Sequence, residues 1–171
     1  MKDIEYIKED LKKSVGEKLY IHCTNVMNTA IDLASYYNVS TEKAMIAGLL
    51  HDCGKLLNQK IGNLEHAVLG SEIAAAKYEV TDTEVINAIL FHTTGRENMT
   101  MLEKIIYIAD KIEPNRKYNG VDSIRELAYE NIDKAIIKSL ENTFEYLKSK
   151  NIEIDSKSFT TYEFLNNINK C

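Results

Sequence analysis

Residues that break helices are scarce in this chain, which has one proline and seven glycines among 171 residues. Hydrophobic residues make up 44% of the sequence and charged residues 27%. This composition favours a compact helical protein over a disordered or an all-β one. The length suits one domain, and no stretch has the composition of a linker. We therefore predict a single all-α domain over 1–171.

Three other shortages exclude classes of protein. The cysteines are Cys23, Cys53 and Cys171, an odd and widely spaced set that supports neither a disulfide framework nor a CxxC zinc site, so we expect reduced thiols. No window approaches the roughly 18 apolar residues of a membrane span, and the N-terminus lacks the apolar stretch of a signal peptide. A formal net charge of −5 argues against binding a nucleic-acid backbone. We predict a cytoplasmic protein with neither nucleic acid nor membrane as partner.

Helical periodicity dominates the sequence, with apolar residues three and four positions apart. Capping boxes are predicted at Thr81 with Glu84 and at Thr100 with Glu103, and Gly54 is expected to cap a helix C-terminus. A polar loop rich in Asn and Gly is expected over 58–63. The predicted helices are 18–37, 41–52, 65–78, one from Thr81 through His92, one from Thr100 to the stop at Pro114, 122–130, 131–150 and a last helix over 160–167.

All four histidines of the chain fall at helix positions that the periodicity turns inward. Asp52 follows His51 directly, and Asp110 lies beside the apolar stripe of its helix, among isoleucines and alanine. Burying carboxylates among imidazoles is costly unless a cation compensates, which indicates a metal site. For Asp110 an ion pair with a Lys or Arg is the alternative. Imidazole and carboxylate ligands without thiolate suit iron, manganese, nickel, cobalt or zinc.

A metal site of this kind is typical of enzymes that catalyse hydrolysis. A divalent cation makes water a better nucleophile at neutral pH and polarises a phosphoryl oxygen. Hydrolysis of a phosphoester or phosphoanhydride is therefore the expected chemistry, and the substrate is expected to be a small molecule.

The order His22, His51-Asp52, Asp110 resembles the signature of the HD superfamily of metal-dependent phosphohydrolases. The match extends to the YqeK-type branch, the symmetrical bis(5'-nucleosyl)-tetraphosphatases, with a motif core over about 18–116. The resemblance implies an HD-type helical bundle whose C-terminal helices, about 122–171, complete the core and cover the nucleotide. The segments that carry it are His51-Asp52-Cys53-Gly54-Lys55, Leu64-Glu65-His66-Ala67, Phe91-His92-Thr93-Thr94-Gly95-Arg96 and Ala109-Asp110-Lys111-Ile112-Glu113-Pro114-Asn115-Arg116.

The resemblance implies metal-dependent cleavage of diadenosine tetraphosphate into two ADP, with iron as the metal. One ion is expected, and a second is left open. His66 is either a ligand of that second ion or a partner behind the first. His92 is ranked slightly higher as a phosphate contact or general acid than as a ligand. The implied ligands of the first ion are His22, His51, Asp52 and Asp110.

Further residues are expected to bind or act on the phosphates. Lys55 would neutralise a phosphate, and Arg116 offers a fork for bidentate phosphate binding. Arg96 belongs to the same class, whereas Lys111 is expected to pair with a surface acid. The predicted catalytic residues are Asp52, Lys55, His92 and Arg116, and the predicted nucleotide contacts are Asp52, Cys53, Gly54, Lys55, His92, Thr93 and Arg116.

The C-terminal part departs from the family pattern, because Asp155-Ser156 and Glu163-Phe164 stand where relatives commonly carry His-Pro and Arg-Asn. The nucleoside contacts of that segment are therefore left open, as is a homodimer formed through helix 131–150. The alternatives to the tetraphosphatase are another HD-type nucleotide phosphohydrolase, a regulatory HD module that binds a nucleotide without turnover, a di-iron oxygenase, and a purely structural protein.

Overall fold

The computed structural model describes residues 1–56, 62 and 64–169. Within these residues the chain forms nine helices and no strand, which confirms the predicted all-α fold. Cys171 and the loop predicted over 58–63, apart from Gly62, lie outside the described residues. The helices are α1 (Ile4–Val15), α2 (Glu17–Tyr36), α3 (Thr41–Leu50), α4 (Glu65–Ala76), α5 (Thr83–Phe91), α6 (Met101–Ile112), α7 (Val121–Glu130), α8 (Ile132–Ser149) and α9 (Ser156–Ile168).

Helix α6 lies at the centre of the fold. Its apolar residues are buried on almost every face, and it packs against α2, α3, α5, α7 and α8. The predicted capping box starts it, since the Thr100 hydroxyl accepts from the Glu103 amide and a Glu103 carboxylate oxygen accepts from the Thr100 amide, both at 3.3 Å. Glu113 ends the helix ahead of Pro114. This rigid core helix carries Asp110.

Helix α1 was not predicted. Asp3 caps its N-terminus, and Ile7, Leu11 and Val15 lie four residues apart on one buried face against the rest of the protein. It ends at Gly16, whose φ of +83° suits glycine. The charged residues between the apolar positions obscure this pattern in the sequence.

The capping box predicted at Thr81 is wrong by one residue. Asp82 caps α5 instead, because its side chain accepts from the amides of Glu84 (2.9 Å) and Val85 (3.3 Å). An aspartate in the next position competes successfully with the threonine for the same orphan amides.

Two glycines allow helices to approach the site closely. A Cβ on Gly48 would lie 2.8 Å from the Cα of Met27, so α2 and α3 pack backbone to backbone, as the small residues of α3 predict. A Cβ on Gly54 would lie 2.1 Å from the carbonyl oxygen of His66. The predicted C-cap role of Gly54 is wrong, because α3 ends earlier at Leu50 and Gly54 serves the contact with α4.

The C-terminal helices complete the core. α8 turns its predicted apolar stripe inward, including Ile136, Leu140 and Phe144, so that stripe serves the core of this chain. α9 is longer than predicted and packs on α8. Among the described residues no helix has the length and apolar character needed to cross a membrane.

Candidate metal centre

Five helices bring six side chains together in the interior. The turn after α3 supplies two adjacent ligand candidates, and the remaining four come from four different helices or their ends. The six are His22 of α2, His51 and Asp52 after α3, His66 of α4, His92 after α5 and Asp110 of α6. Every histidine of the chain is thus at one site, as their inward positions in the sequence predict.

Four of these residues form what we call the His22 group: His22, His51, Asp110 and the Oδ2 atom of Asp52. The Nε2 atoms of the two histidines lie 3.2 Å apart. Asp52 Oδ2 lies 3.4 Å from His51 Nε2 and 3.7 Å from His22 Nε2. Asp110 Oδ1 lies 3.0 Å from His22 Nε2 and 3.8 Å from His51 Nε2. The other three atoms therefore all lie within 3.8 Å of His51 Nε2.

The other oxygen of Asp52 faces a second set, which we call the His66 group: His66, His92 and Asp52 Oδ1. Asp52 Oδ1 lies 3.2 Å from His66 Nε2 and 3.4 Å from His92 Nε2. The two Nε2 atoms are 3.1 Å apart. The carboxylate of Asp52 therefore lies between the two groups and offers one oxygen to each.

The hydrogen bonds of the rings decide which nitrogen carries the proton. Three histidines use Nδ1 to donate to an acceptor outside the two groups, so their Nε2 atoms are left as lone pairs. In metal sites this outer bond fixes the ring orientation and the tautomer. The three bonds are His22 to Glu113 Oε1 (3.2 Å), His51 to the carbonyl of Gly48 (2.8 Å) and His92 to the carbonyl of Ile89 (2.7 Å).

Charge in the site is concentrated on buried groups. Burial alone would raise the pKa of Asp52, but the neighbouring histidines, His51 first, hold it well below its usual range. Burial would also lower the pKa of His22, yet the carboxylates of Asp110 and Glu113 raise it on balance. The carboxylates remain ionised, and the site favours a positive charge among them.

These residues fit a divalent metal ion. Within each group Nε2 atoms face a carboxylate oxygen and one another at hydrogen-bond distance. Because the Nε2 atoms of His22, His51 and His92 are lone pairs, this arrangement is repulsive unless a cation lies between them. Asp52 Oδ1 is buried without a hydrogen-bond partner in the structure, and so is His66 Nδ1. His22, His51 and Asp52 are compact enough to hold a metal ion, and so are Asp52, His66 and His92. The nitrogen and oxygen donors without sulfur suit iron, manganese, cobalt, nickel or zinc.

The sequence analysis missed Glu113, which supports the site from behind His22. Its carboxylate accepts from His22 Nδ1 and, at 3.0 Å, from the side-chain amide of Asn25. It also accepts from the amide of Asn115 at 2.7 Å. The sequence shows an acid directly ahead of Pro114, but it shows neither that the acid is buried nor that its partner lies in α2, 91 residues away.

The basic residues lie where they compensate the buried carboxylates. Lys55 Nζ is 2.8 Å from Asp52 Oδ2 and remains partly exposed. The expectation that Lys111 pairs with a surface acid is wrong, because its Nζ lies 2.8 Å from Oδ2 of the buried Asp110. Arg116 donates from Nη2 to Asp110 Oδ1 (2.6 Å) and from Nε to the Asp110 carbonyl (2.7 Å). Asp110 therefore forms the ion pair that was considered as an alternative, and it also lies beside His22.

Several residues predicted to bind phosphate are packed against other helices or are already paired in the structure. Cys53 is buried and its thiol donates to the carbonyl of Gly70, and Gly54 is packed against α4, so neither faces the site. The fork of Arg116 is already engaged with Asp110. Arg96 is tied to Glu103 by two hydrogen bonds of 3.0 and 2.6 Å.

The structure also bears on whether His92 acts as a general acid or as a metal ligand. With Nδ1 donating to Ile89 and a pKa lowered chiefly by burial, His92 has no proton on Nε2 to give. The geometry therefore favours ligation over a role as general acid. Thr93 does lie at the site, since its hydroxyl oxygen is 3.1 Å from His92 Nε2 and 3.4 Å from His66 Nε2.

One cavity adjoins the His22 group, and a second is lined by Thr93, whose hydroxyl lies beside the His66 group. The His22 cavity, of about 880 Å³, is lined by residues that include Leu19, Ile21, His22, Asp52, Lys55 and Arg116. The Phe91 cavity, of about 350 Å³, is lined by residues that include Leu64, Val68, Phe91, Thr93, Asp155 and Lys157. The C-terminal segment thus reaches the second cavity through Asp155, where this sequence departs from the family pattern.

An all-α fold with histidines and aspartates between its helices, in the order His, His-Asp, Asp, defines an HD domain. The HD-domain family matches residues 19–115 of this chain. A solved structure described as a predicted HD superfamily hydrolase involved in NAD metabolism, from Clostridium acetobutylicum, superposes with a TM-score of 0.91. It is 38% identical in sequence, and the match covers 98% of this chain and 99% of that one.

Similar proteins of known name show which branch of the HD-domain family this chain resembles. The chain is 38% identical to the symmetrical bis(5'-nucleosyl)-tetraphosphatase of Bacillus subtilis (strain 168), over 91% of this chain and 93% of that protein. It is 36% identical to the protein of the same name from Staphylococcus aureus (strain NCTC 8325 / PS 47), over 96% and 95% of the two chains. The chain therefore belongs to the HD-domain family and, within it, to the family of the symmetrical bis(5'-nucleosyl)-tetraphosphatases, as its motifs predict.

Proposed function

We propose that this protein hydrolyses dinucleoside polyphosphates and cleaves diadenosine tetraphosphate symmetrically into two ADP. Membership of the tetraphosphatase family supports the reaction. The observation that carries the proposal is the buried carboxylate of Asp52, which offers one oxygen to each of two histidine groups. We place the activity in the cytoplasm.

His22, His51, Asp52 and Asp110 would hold one divalent ion, for which we propose iron, and Asp52 with His66 and His92 would hold a second. When bound, such an ion supplies a Lewis acid that lowers the pKa of water and polarises a phosphoryl oxygen. Glu113 keeps the proton of His22 on Nδ1 and so directs the lone pair of Nε2 into the site.

Lys55 and Arg116 would act on the substrate's charge. Lys55 is the more exposed of the two and reaches Asp52 from the His22 cavity, so its ammonium can turn to a phosphate there. Arg116 lines the same cavity while it orients Asp110, and its positive charge disperses charge that develops on the phosphates. Catalysis by these residues is electrostatic: Arg116 is fixed before substrate binds, whereas Lys55 turns to the phosphate when it binds.

The first test is anaerobic incubation of purified protein with diadenosine tetraphosphate, with products separated by anion exchange and bound metals counted in the same sample. We expect ADP as the sole product and at least one iron per chain. Asp52→Asn should lose both metal and turnover. Asp133→Asn is the matched control, because Asp133 is a half-buried acid paired with Lys104 away from the centre.

AMP and ATP as products would refute symmetrical cleavage. Metal-replete protein that binds the nucleotide without turnover would instead establish the regulatory HD module. Activity that survives complete removal of metal would refute the metal-dependent reaction itself.

A further inference from the structure

The two cavities are not equivalent, because Asp52 lines the His22 cavity, whereas the Phe91 cavity is lined by Thr93 and not by Asp52. The His22 cavity is lined by His22 and by Asp52 itself. The Phe91 cavity reaches the centre through Thr93, whose hydroxyl lies beside the Nε2 atoms of His66 and His92. A ligand that extends from the centre in two directions would therefore find a cavity beside each histidine group.

Symmetrical cleavage requires a substrate of that shape. The central phosphoanhydride of a dinucleoside tetraphosphate has two phosphates and one nucleoside on each side. If that bond lies at Asp52, the two nucleosides of an extended substrate lie equally far from it on opposite sides, and each then needs its own binding surface. Water adds to one central phosphorus and the other half leaves as ADP, so both halves end as the same product.

We propose that the Phe91 cavity is a second nucleoside subsite, which binds one nucleoside of the substrate while the His22 cavity binds the other. The inference rests on the proposed function. Thr93 marks the path of the phosphates from the centre into this subsite. Its side chain both lines the cavity and contacts the His66 group.

The Phe91 cavity has the chemistry of a nucleoside site. Its volume of about 350 Å³ is within the range of about 300–1,000 Å³ common for small-molecule pockets. Leu64 and Val68 expose 41% and 49% of their surface, so part of its apolar wall is left to solvent. A base would cover this wall, and Asp155 offers a carboxylate that can accept from ribose hydroxyls.

The aromatic ring of Phe91 is held in place before any ligand arrives. The guanidinium of Arg96 lies 4.7 Å from the ring centroid, and Glu103 anchors Arg96 by two hydrogen bonds. Arg96 lines the neighbouring small cavity together with Phe91, but it is not among the residues that line the Phe91 cavity. The ring is therefore a fixed wall against which a base can stack.

The test fills the cavity without disturbing the core. Val68→Trp places an indole at an exposed position of α4, and Ile168→Trp is the control, because Ile168 is 47% exposed on α9 and does not line this cavity. Each variant is assayed with diadenosine tetraphosphate and with adenosine 5'-tetraphosphate, which has a single nucleoside. Val68→Trp should raise KM for the dinucleoside about tenfold or more, the size of one lost stacking contact.

Val68→Trp should change kcat/KM for the mononucleoside substrate by no more than about twofold, since the His22 cavity still accepts it. Equal losses on both substrates, or no loss on either, would overturn the second subsite. Failure of the wild-type protein to produce ADP would refute the proposed function instead, so the two failures are distinct.

A second measurement does not depend on turnover. Photolabelling of the metal-loaded protein with 8-azidoadenosine 5'-diphosphate, followed by peptide mapping, should mark peptides of both cavities. In Val68→Trp the label near Phe91 should be lost while the label near Leu19 and Ile21 persists. Labelling confined to the His22 cavity in the wild-type protein would overturn the proposal.

Discussion

The two histidine groups share Asp52 but differ in what surrounds them. The His22 group lies among charges: Glu113 supports His22, while Lys111 and Arg116 hold Asp110. In the His66 group, Asp52 Oδ1 is the one carboxylate atom, and the Nδ1 of His66 is buried without a partner. Ligands fixed by outer hydrogen bonds bind metal more tightly, so we expect the His22 group to be the stronger site.

Removing a carboxylate from the His22 group should have the largest effect. Asp110→Asn deletes a ligand and leaves Lys111 and Arg116 without their buried counter-charge. We expect loss of the tightly bound ion and a fall in kcat/KM of about 10³-fold, corresponding to several kcal/mol of Lewis-acid stabilisation. Metal content and thermal unfolding are measured beside Asp133→Asn. Retention of a full metal complement would contradict the assignment of Asp110.

Stepwise removal of metal should separate the two groups. A chelator titrated into the loaded protein should remove the ion of the His66 group first, because its ligands have fewer supporting contacts. His66→Ala should abolish this weaker step and leave the tighter one, with activity about 10–100-fold lower. A single chelation step that His66→Ala leaves unchanged would mean that one ion suffices and that His66 is not a ligand.

The support behind His22 should have a smaller effect than either ligand. Glu113→Gln keeps the shape of the side chain but removes the charge that holds the proton on His22 Nδ1. We expect about tenfold weaker binding of the tighter ion, at the low end for outer-shell partners, and no change in the weaker chelation step. Equal weakening of both steps would show that the two groups are not independent.

The sequence could predict the candidate metal ligands but not the residues that support them. The ligand candidates were readable because His51 and Asp52 are adjacent, and because Asp110 lies beside the apolar stripe of a helix that begins with a capping box. The hydrogen-bond and ion-pair partners of these ligands could not be predicted from the sequence. Glu113 and His22 are 91 residues apart, and whether Lys111 turns to Asp110 or to solvent depends on the packing of α6 against its neighbours.

The roles predicted for Gly54 and His92 differ from the structure for a similar physical reason. Gly54 was interpreted as a helix cap, whereas its role is set by the approach of α4 from elsewhere in the chain. For His92, which the sequence ranks slightly higher as a phosphate contact or general acid, the hydrogen bond from Nδ1 to Ile89 favours ligation over the acid role, and the sequence does not show that bond. The all-α class was predictable from composition and periodicity alone, since it does not depend on such long-range contacts.

The smallest predicted effect concerns the helix that carries His92 into the His66 group. Asp82→Ala removes the N-cap of α5 and should lower the free energy of unfolding by about 1 kcal/mol, whereas Thr81→Ala should change it little. Urea unfolding of both variants measures this difference. Because His92 lies at the opposite end of α5 and its ring is held by Ile89, the metal content of Asp82→Ala should stay normal. Selective loss of the weaker ion in this variant would mean that the His66 group depends on the stability of one short helix, and that its weaker binding reflects mobility of α5 more than missing hydrogen bonds.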